Sequence, residues 1–302
     1  AVLFDLKLRI LKKEEEVFGQ EDTPSILQKL FRAVDRIRLQ EERILGCGVS
    51  VVGPLDVESG MVLNPPNFFG VSNLPLRHLL AEHTGLPVEL NNDMNCAALG
   101  EKLFGAGREF HNFLYVGLST GIGSGIIEND GLYQNSSGFA GELGHTSIDC
   151  NGPACSCGNR GCLEQYISDP AVLSTYEKLS GRHGLTMEDL AEGWLAGEQA
   201  AIQTVDGFVR YLALGVHNLG NLFSPDCIVV NSQLTGRLPE LISIVRSCLP
   251  PQRQPSFELK ASSLKDASTL LGGAYLGISR FLGIEKIFFR DWSFPASSVD
   301  RK

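Results

Sequence analysis

Hydrophobic and polar positions change period several times along the chain. Residues 2–6 are apolar apart from Asp5, Lys7 interrupts, and the pattern resumes over 8–11 around Arg9. That predicts a tight β-hairpin turning near residues 5–7. Thr23-Pro24 supplies an N-cap and a first-turn proline, and Ile26, Leu27, Leu30, Phe31, Val34 and Ile37 follow at helical spacing. A helix with one apolar face is expected from Thr23 to about residue 41. A buried strand over 44–52 ends at Gly53-Pro54, and a short strand covers 61–63. Residues 74–82 predict a helix closed by Gly85, 87–91 a strand, and 94–104 a helix capped by Asn92-Asp93 and stopped by Gly105. Residues 113–117 form a hydrophobic strand. The Gly-rich stretch 119–125 then predicts a hairpin turn with positive φ angles and a return strand from Ile126. Further helices are expected at 170–179, 187–195, 198–223, 238–249 and 267–282, with strands at 227–230 and 257–259. Ala213, Leu214, Val216, Leu219 and Leu222 place the long helix in the core, and Gly272, Gly273 and Ala274 allow close packing of the last one. Hairpins, parallel strands and helices alternating in this way fit an α/β chain in two lobes.

Residues 141–165 break the pattern and carry the densest chemistry. His145, Cys150, Cys155, Cys157 and Cys162 fall inside this stretch, flanked by Glu142 and Glu164. Thiolates and an imidazole are the ligand set of a tetrahedral zinc site. Gly152-Pro153, Gly158 and Gly161 supply the turns that curl so short a loop around an ion. Cys-x-Cys spacing is poor for a disulfide. Five candidates compete for four positions, and chemistry alone does not choose between His145 and Cys150.

Composition narrows the class. The chain has 302 residues, is 43% hydrophobic and 20% charged, and carries a net charge of −9. An acidic balance argues against DNA binding through its own surface. No apolar run is long enough to span a bilayer and no secretory signal opens the chain. Cys47, Cys96, Cys227 and Cys248 sit among apolar neighbours, as buried free thiols do. A cytoplasmic location is expected. The first residue is Ala1, and a strand begins at once, which reads as a fragment of a longer parent.

Glu142-x-x-His145 followed by Cys155-x-Cys157-Gly158-x-x-Gly161-Cys162-x-Glu164 resembles the signature of the ROK family, which contains bacterial sugar kinases and sugar-responsive transcriptional repressors. The resemblance covers nearly the whole chain. It implies an actin-like, ribonuclease H-like α/β fold with a zinc-stapled loop. The small lobe would comprise 1–92 and 283–302, with its first strand missing. The large lobe would comprise 93–282, with the zinc loop and oligomerisation helices. By the same resemblance the zinc ligands are His145, Cys155, Cys157 and Cys162. The sugar ligands are Asn67, Asn92, Asp93, Glu142, His145 and Glu164. Asp93 opens a helix, whose positive end favours its charged form. In a kinase of the family it would be the catalytic base that deprotonates the sugar hydroxyl. Thr120, Gly121 and Gly123 match the family's second phosphate loop, although Ser119 stands where the kinases usually have Gly.

Two departures separate this sequence from the kinases. Their opening Asp-x-Gly-Gly-Thr loop does not occur, and Asn231-Ser232 stands where the adenosine region usually has Gly-Gly. A side chain there is expected to crowd a nucleotide. Phosphoryl transfer depends on positioning and charge neutralisation of the γ-phosphate, so these losses leave a sugar site without an ATP site. The expectation is the sugar-binding body of a ROK-type regulator. Its partners are a small sugar or sugar phosphate and further copies of itself as dimer or tetramer. DNA would be contacted only through an N-terminal domain outside this chain. The alternative is a sugar kinase using Mg-ATP.

Overall fold

The computed structural model describes residues 1–19, 21–38, 43–65, 70–133, 141–250 and 257–283. Asn67 and the tail from Arg290 lie outside the described residues. In chain order the elements are β1 (Val2–Phe4), β2 (Ile10–Lys13), α1 (Thr23–Arg38), β3 (Cys47–Val51), β4 (Leu55–Asp56), β5 (Met61–Val62), α2 (Leu76–Thr84), β6 (Val88–Asn92) and α3 (Asp93–Phe104). There follow β7 (Phe113–Leu118), β8 (Ile122–Glu128), β9 (Gly131–Leu132), α4 (Glu164–Ile167), α5 (Asp169–Ser180), α6 (Met187–Leu195), α7 (Gln199–Phe223), β10 (Cys227–Asn231), α8 (Gln233–Arg237), α9 (Leu241–Ser247), β11 (Glu258–Ala261) and α10 (Ala267–Leu282). They form two compact units, one of residues 1–105, 131–140 and 266–302, the other of residues 106–130 and 141–265.

The first unit opens with the expected hairpin. β1 and β2 pair antiparallel, and Asp5 organises the turn by accepting from the Lys7 and Arg9 backbone N–H groups. α1 is capped by Asp22, whose carboxylate accepts from Ser25 N–H at 3.0 Å, so Thr23 is the first helical residue and not the cap. A carboxylate at an N-terminus also suits the helix dipole. β3 and β6 pair in parallel as a second two-stranded sheet, not joined to the hairpin among the described residues.

α10 lies against both α3 and β3. A Cβ on Gly272 would run into the Cys96 carbonyl of α3, one on Gly100 into the Ser268 carbonyl of α10, and one on Gly48 into the Gly273 carbonyl. These backbones approach too closely for any side chain. The glycines therefore hold α3 and α10 in the first unit, whereas the sequence placed residues 93–104 and 267–282 in the large lobe.

In the second unit β10 lies between β7 and β11, parallel to both, and β8 returns antiparallel to β7. Val205, Phe208, Leu212, Val216 and Leu219 of α7 are buried in one core with Leu114, Val116, Ile228, Val230 and Leu163. α7 is amphipathic, not core throughout: Leu214 and Leu222 are on its exposed side. Among the described residues no helix is long and apolar enough to cross a membrane.

Candidate functional site

The 141–165 loop is built against the start of β8. Gly141 has φ +84°, and a Cβ there would overlap the Ser124 carbonyl. Its own carbonyl accepts from the Ser124 N–H at 2.8 Å and the Ser124 hydroxyl at 2.9 Å. A single 3₁₀ turn, Leu143–His145, then projects Glu142 and His145 three residues apart. Gly144 packs where a Cβ would strike the Ile122 carbonyl. At the far end of the loop Leu163 N–H bonds Thr146 O at 3.0 Å, and Ile148 N–H bonds Gly161 O at 2.8 Å, folding the stretch back on itself. Gly161 has φ +62° and abuts the Asp149 carbonyl, so only glycine fits that turn.

This folding gathers four ligand atoms, one each from His145, Cys155, Cys157 and Cys162, all within 4.8 Å of one another. Cys155 Sγ lies 3.7 Å from His145 Nδ1, and Cys157 Sγ lies 3.7 Å from Cys162 Sγ. A tetrahedral zinc ion with the usual Zn–N and Zn–S bonds needs donor separations of about 3.4–3.8 Å; these two pairs match that spacing, and the donor types suit such an ion. Cys150 is exposed and outside the group, which resolves the five-for-four ambiguity in favour of His145. Electrostatics favours a cation here too. Burial resists ionisation of Cys155, but bonds from the Cys157 backbone and from the Cys157, His145 and Cys162 side chains bring its thiol down to about 7. Cys162, buried beside the other two sulfurs, is pushed up to about 12. Sulfurs packed this closely repel one another once more than one is ionised, and a cation between them would remove that repulsion. Gln165 adds an N–H directed at Cys155 Sγ at 3.6 Å, a supporting contact that nothing in the sequence pattern marks.

The two ring nitrogens of His145 face different groups. Nδ1 faces Cys155, and Nε2 lies 4.0 Å from Glu142 Oε2. Glu164, the first residue of α4, directs Oε2 at the Ile122 N–H, 3.0 Å away. A Cβ on Gly121 would sit 2.9 Å from that oxygen, so a glycine is needed for the carboxylate to approach. Thus Glu142, His145 and Glu164 are all anchored on the beginning of β8. The turn before it differs from expectation. β8 starts at Ile122 and Gly123 pairs with Gly117 inside the ladder. Gly121, Gly123 and Gly125 are absent from the positive-φ residues, so they serve close approach and not a left-handed turn. Thr120 is exposed at the tip.

Asn92 and Asp93 belong to the first unit. Asn92 caps α3, its Oδ1 accepting Met94 N–H at 2.9 Å, and Asp93 is the first helical residue, accepting the same N–H at 3.0 Å. Asn91, buried beside them, accepts from Asn92 N–H and the Asn95 amide and so sets the strand-to-helix turn. Burial raises the Asp93 pKa despite opposing bonds from the Met94 and Asp93 backbone and the Asn92 side chain. The helix end was expected to favour the charged form, and desolvation reverses the sign. A raised acid binds its proton more tightly folded than unfolded, so stability falls as pH rises from the ordinary aspartate value toward the folded one. Asp93→Asn is therefore expected to raise Tm at pH 7, with the gain shrinking as pH falls toward 4; thermal denaturation across that range measures it. An undiminished gain at low pH would remove the electrostatic explanation.

At the end of β10 the side chains turn inward. Asn231 donates to the Tyr115 hydroxyl at 2.9 Å, and Ser232 forms a capping box with Thr235. The residue of this segment that reaches outward is Gln233, which donates to Asp169 Oδ2 at 2.8 Å. Asp169 is buried, and burial raises its pKa against the Gln233 bond. Its backbone N–H bonds Ser119 O at 2.7 Å. Neither Asp169 nor Gln233 carries a sequence signal; they meet only because β7 and β10 are adjacent.

Fold and site together define an α/β protein of two units with a loop that gathers three cysteines and a histidine as a metal would need, the histidine also lying 4.0 Å from a carboxylate oxygen. The ROK family model matches residues 1–280, and the chain belongs to the ROK family. It is 32% identical over 294 residues to the xylose repressor of Bacillus spizizenii, covering 95% of this chain and 76% of that protein. It is 33% identical over 284 residues to the glucokinase of Thermotoga maritima, covering 88% and 89%. A ROK family glucokinase from Streptomyces griseus, crystallised with glucose and AMPPNP, superposes with a TM-score of 0.82 at 25% identity, covering 92% of this chain and 95% of that one.

Proposed function

We propose that this chain is the sugar-sensing body of a ROK-type transcriptional regulator. A zinc ion is held by His145, Cys155, Cys157 and Cys162. A small sugar is bound by Glu142, His145 and Glu164. The observation that carries this function is the divided role of His145, with Nδ1 toward the thiols and Nε2 toward Glu142. Metal on Nδ1 fixes the tautomer and leaves Nε2–H as an oriented donor. Carboxylates beside it accept from hydroxyls at fixed angles. Sensing rather than phosphorylation is supported by similarity to the xylose repressor over 95% of the chain. Binding would then shift the populations of two conformations, and a DNA-binding domain outside these residues would read the difference.

A sugar kinase is the second possibility, favoured by the similarity to glucokinase and by Asp93, whose raised pKa makes its carboxylate a better proton acceptor. A coupled ATP-consumption assay on the full-length protein with a panel of aldoses and N-acetylhexosamines separates them. The expected result is a sugar-induced rise in Tm without ATP consumption. Glu142→Ala should weaken that sugar by roughly tenfold or more, the loss of one charged hydrogen bond. Turnover abolished by Asp93→Asn would sink the regulator as the sole function.

A further inference from the structure

The turn at residues 119–122 is closed by hydrogen bonds within the chain. Glu164 Oε2 takes the Ile122 N–H at 3.0 Å, and the Ser119 N–H goes to the Gly121 carbonyl at 2.9 Å. The Ile122 and Ser119 N–H groups are therefore both bonded within the chain. On the other side, the Asp169 N–H donates to Ser119 O at 2.7 Å, which seats residue 169 beside the turn. Gln233 crosses from the end of β10 to hold the Asp169 carboxyl at 2.8 Å. β7 and β10 are parallel and end together here, the place where α/β sheets receive ligands. Phosphate sites at such ends rely on free N–H groups, glycine and cations. This end presents a buried carboxyl instead, paired with a neutral amide that satisfies it and adds no positive charge. An anion brought beside the ionised carboxylate in such a buried setting is repelled by far more than in water.

We infer that Asp169, held in place by Gln233, is the specificity determinant that excludes phosphate-bearing ligands, nucleoside triphosphates included, from the shared end of β7 and β10. The inference rests on the regulator function and specifies it: the Asp169 carboxyl adds to the other departures from the kinases in keeping a nucleotide away from the sugar site.

The test is calorimetric titration of the full-length protein with Mg-AMPPNP, with and without its sugar, for wild type, Asp169→Asn, Asp169→Gly and Gln233→Lys. Asp169→Asn is nearly isosteric, and Gln233→Lys reaches the same goal by adding a cation, so misfolding of one variant leaves the other to decide. Wild type is expected to show no binding at millimolar nucleotide, and the variants to gain affinity of roughly tenfold or more. The sugar-induced rise in Tm should be unchanged in each. Wild type binding Mg-AMPPNP as tightly as Asp169→Asn would overturn the inference. So would folded variants that bind no better than wild type, which would leave the regulator function standing. Sugar-dependent ATP consumption by wild type would overturn both.

Discussion

Cys157→Ser, alone or with Cys155→Ser, is expected to release the metal, abolish the sugar-induced Tm shift and lower Tm by about 10 °C or more. Leu143 and Leu163 anchor the two ends of the 141–165 loop in the core, but between them Cys155 and Cys162 are its buried sulfurs, while Asp149, Asn151, Ser156 and Arg160 are polar. Its shape depends on a few backbone bonds and on four donors converging within 4.8 Å. Without an ion, sulfurs at 3.7 Å cannot all be ionised, as the opposite shifts of Cys155 and Cys162 express. With an ion, the metal–ligand free energy becomes folding free energy. Loss of the ion frees the His145 ring, so Nε2 no longer holds its angle to Glu142. Metal analysis by mass spectrometry and thermal melting measure both effects. Cys150→Ser is the control, since that residue is exposed and outside the cluster, and should keep its full metal content. Full metal retention in the double variant would refute the assignment.

Gly272→Ala is expected to destabilise the protein by about 3 kcal/mol or more, the upper range for overpacking a close-packed interior. One added methyl would meet the Cys96 carbonyl of α3, and carbonyls do not rotate away as side-chain tips do. Relief requires α10 to move off α3, which opens the Gly100–Ser268 and Gly48–Gly273 contacts as well. Because α3 begins at Asp93, the displacement also carries the helix that holds that carboxyl. Gly207→Ala in α7 is the comparison: open space surrounds the added carbon there, and the substitution should stabilise by up to about 1 kcal/mol through helix propensity. Denaturant unfolding of the two variants measures opposite signs for the same chemical change. Equal effects would show that the glycine contacts of α10 do not govern its packing.

Much was decided by the sequence alone. Periodicity placed α10 at residues 267–282, as observed, and α3, α5, α6 and the β1–β2 hairpin within a residue or two, because amphipathic spacing and breakers act locally. The candidate donors were legible for the same reason: His145 and four cysteines lie within eighteen residues with turn glycines between them, but spacing left His145 and Cys150 as alternatives, and only the family resemblance pointed to His145. Long-range placement was not legible. Which glycines serve turns and which serve close approach depends on what lies opposite, so Gly121 and Gly123 were read as turn residues when they belong to a carboxylate contact and a strand. Asp22, not Thr23, caps α1 because side-chain reach decides between neighbouring cap residues. The outward turn of Leu214 and Leu222 on α7 was hidden by an apolar count that ignored which face the sheet covers. The sign of the Asp93 shift needed the burial that only the folded chain supplies, since a helix end and desolvation pull in opposite directions. Asp169 and Gln233 stand 64 residues apart, and only the parallel pairing of β7 with β10 brings that carboxyl and that amide to one place.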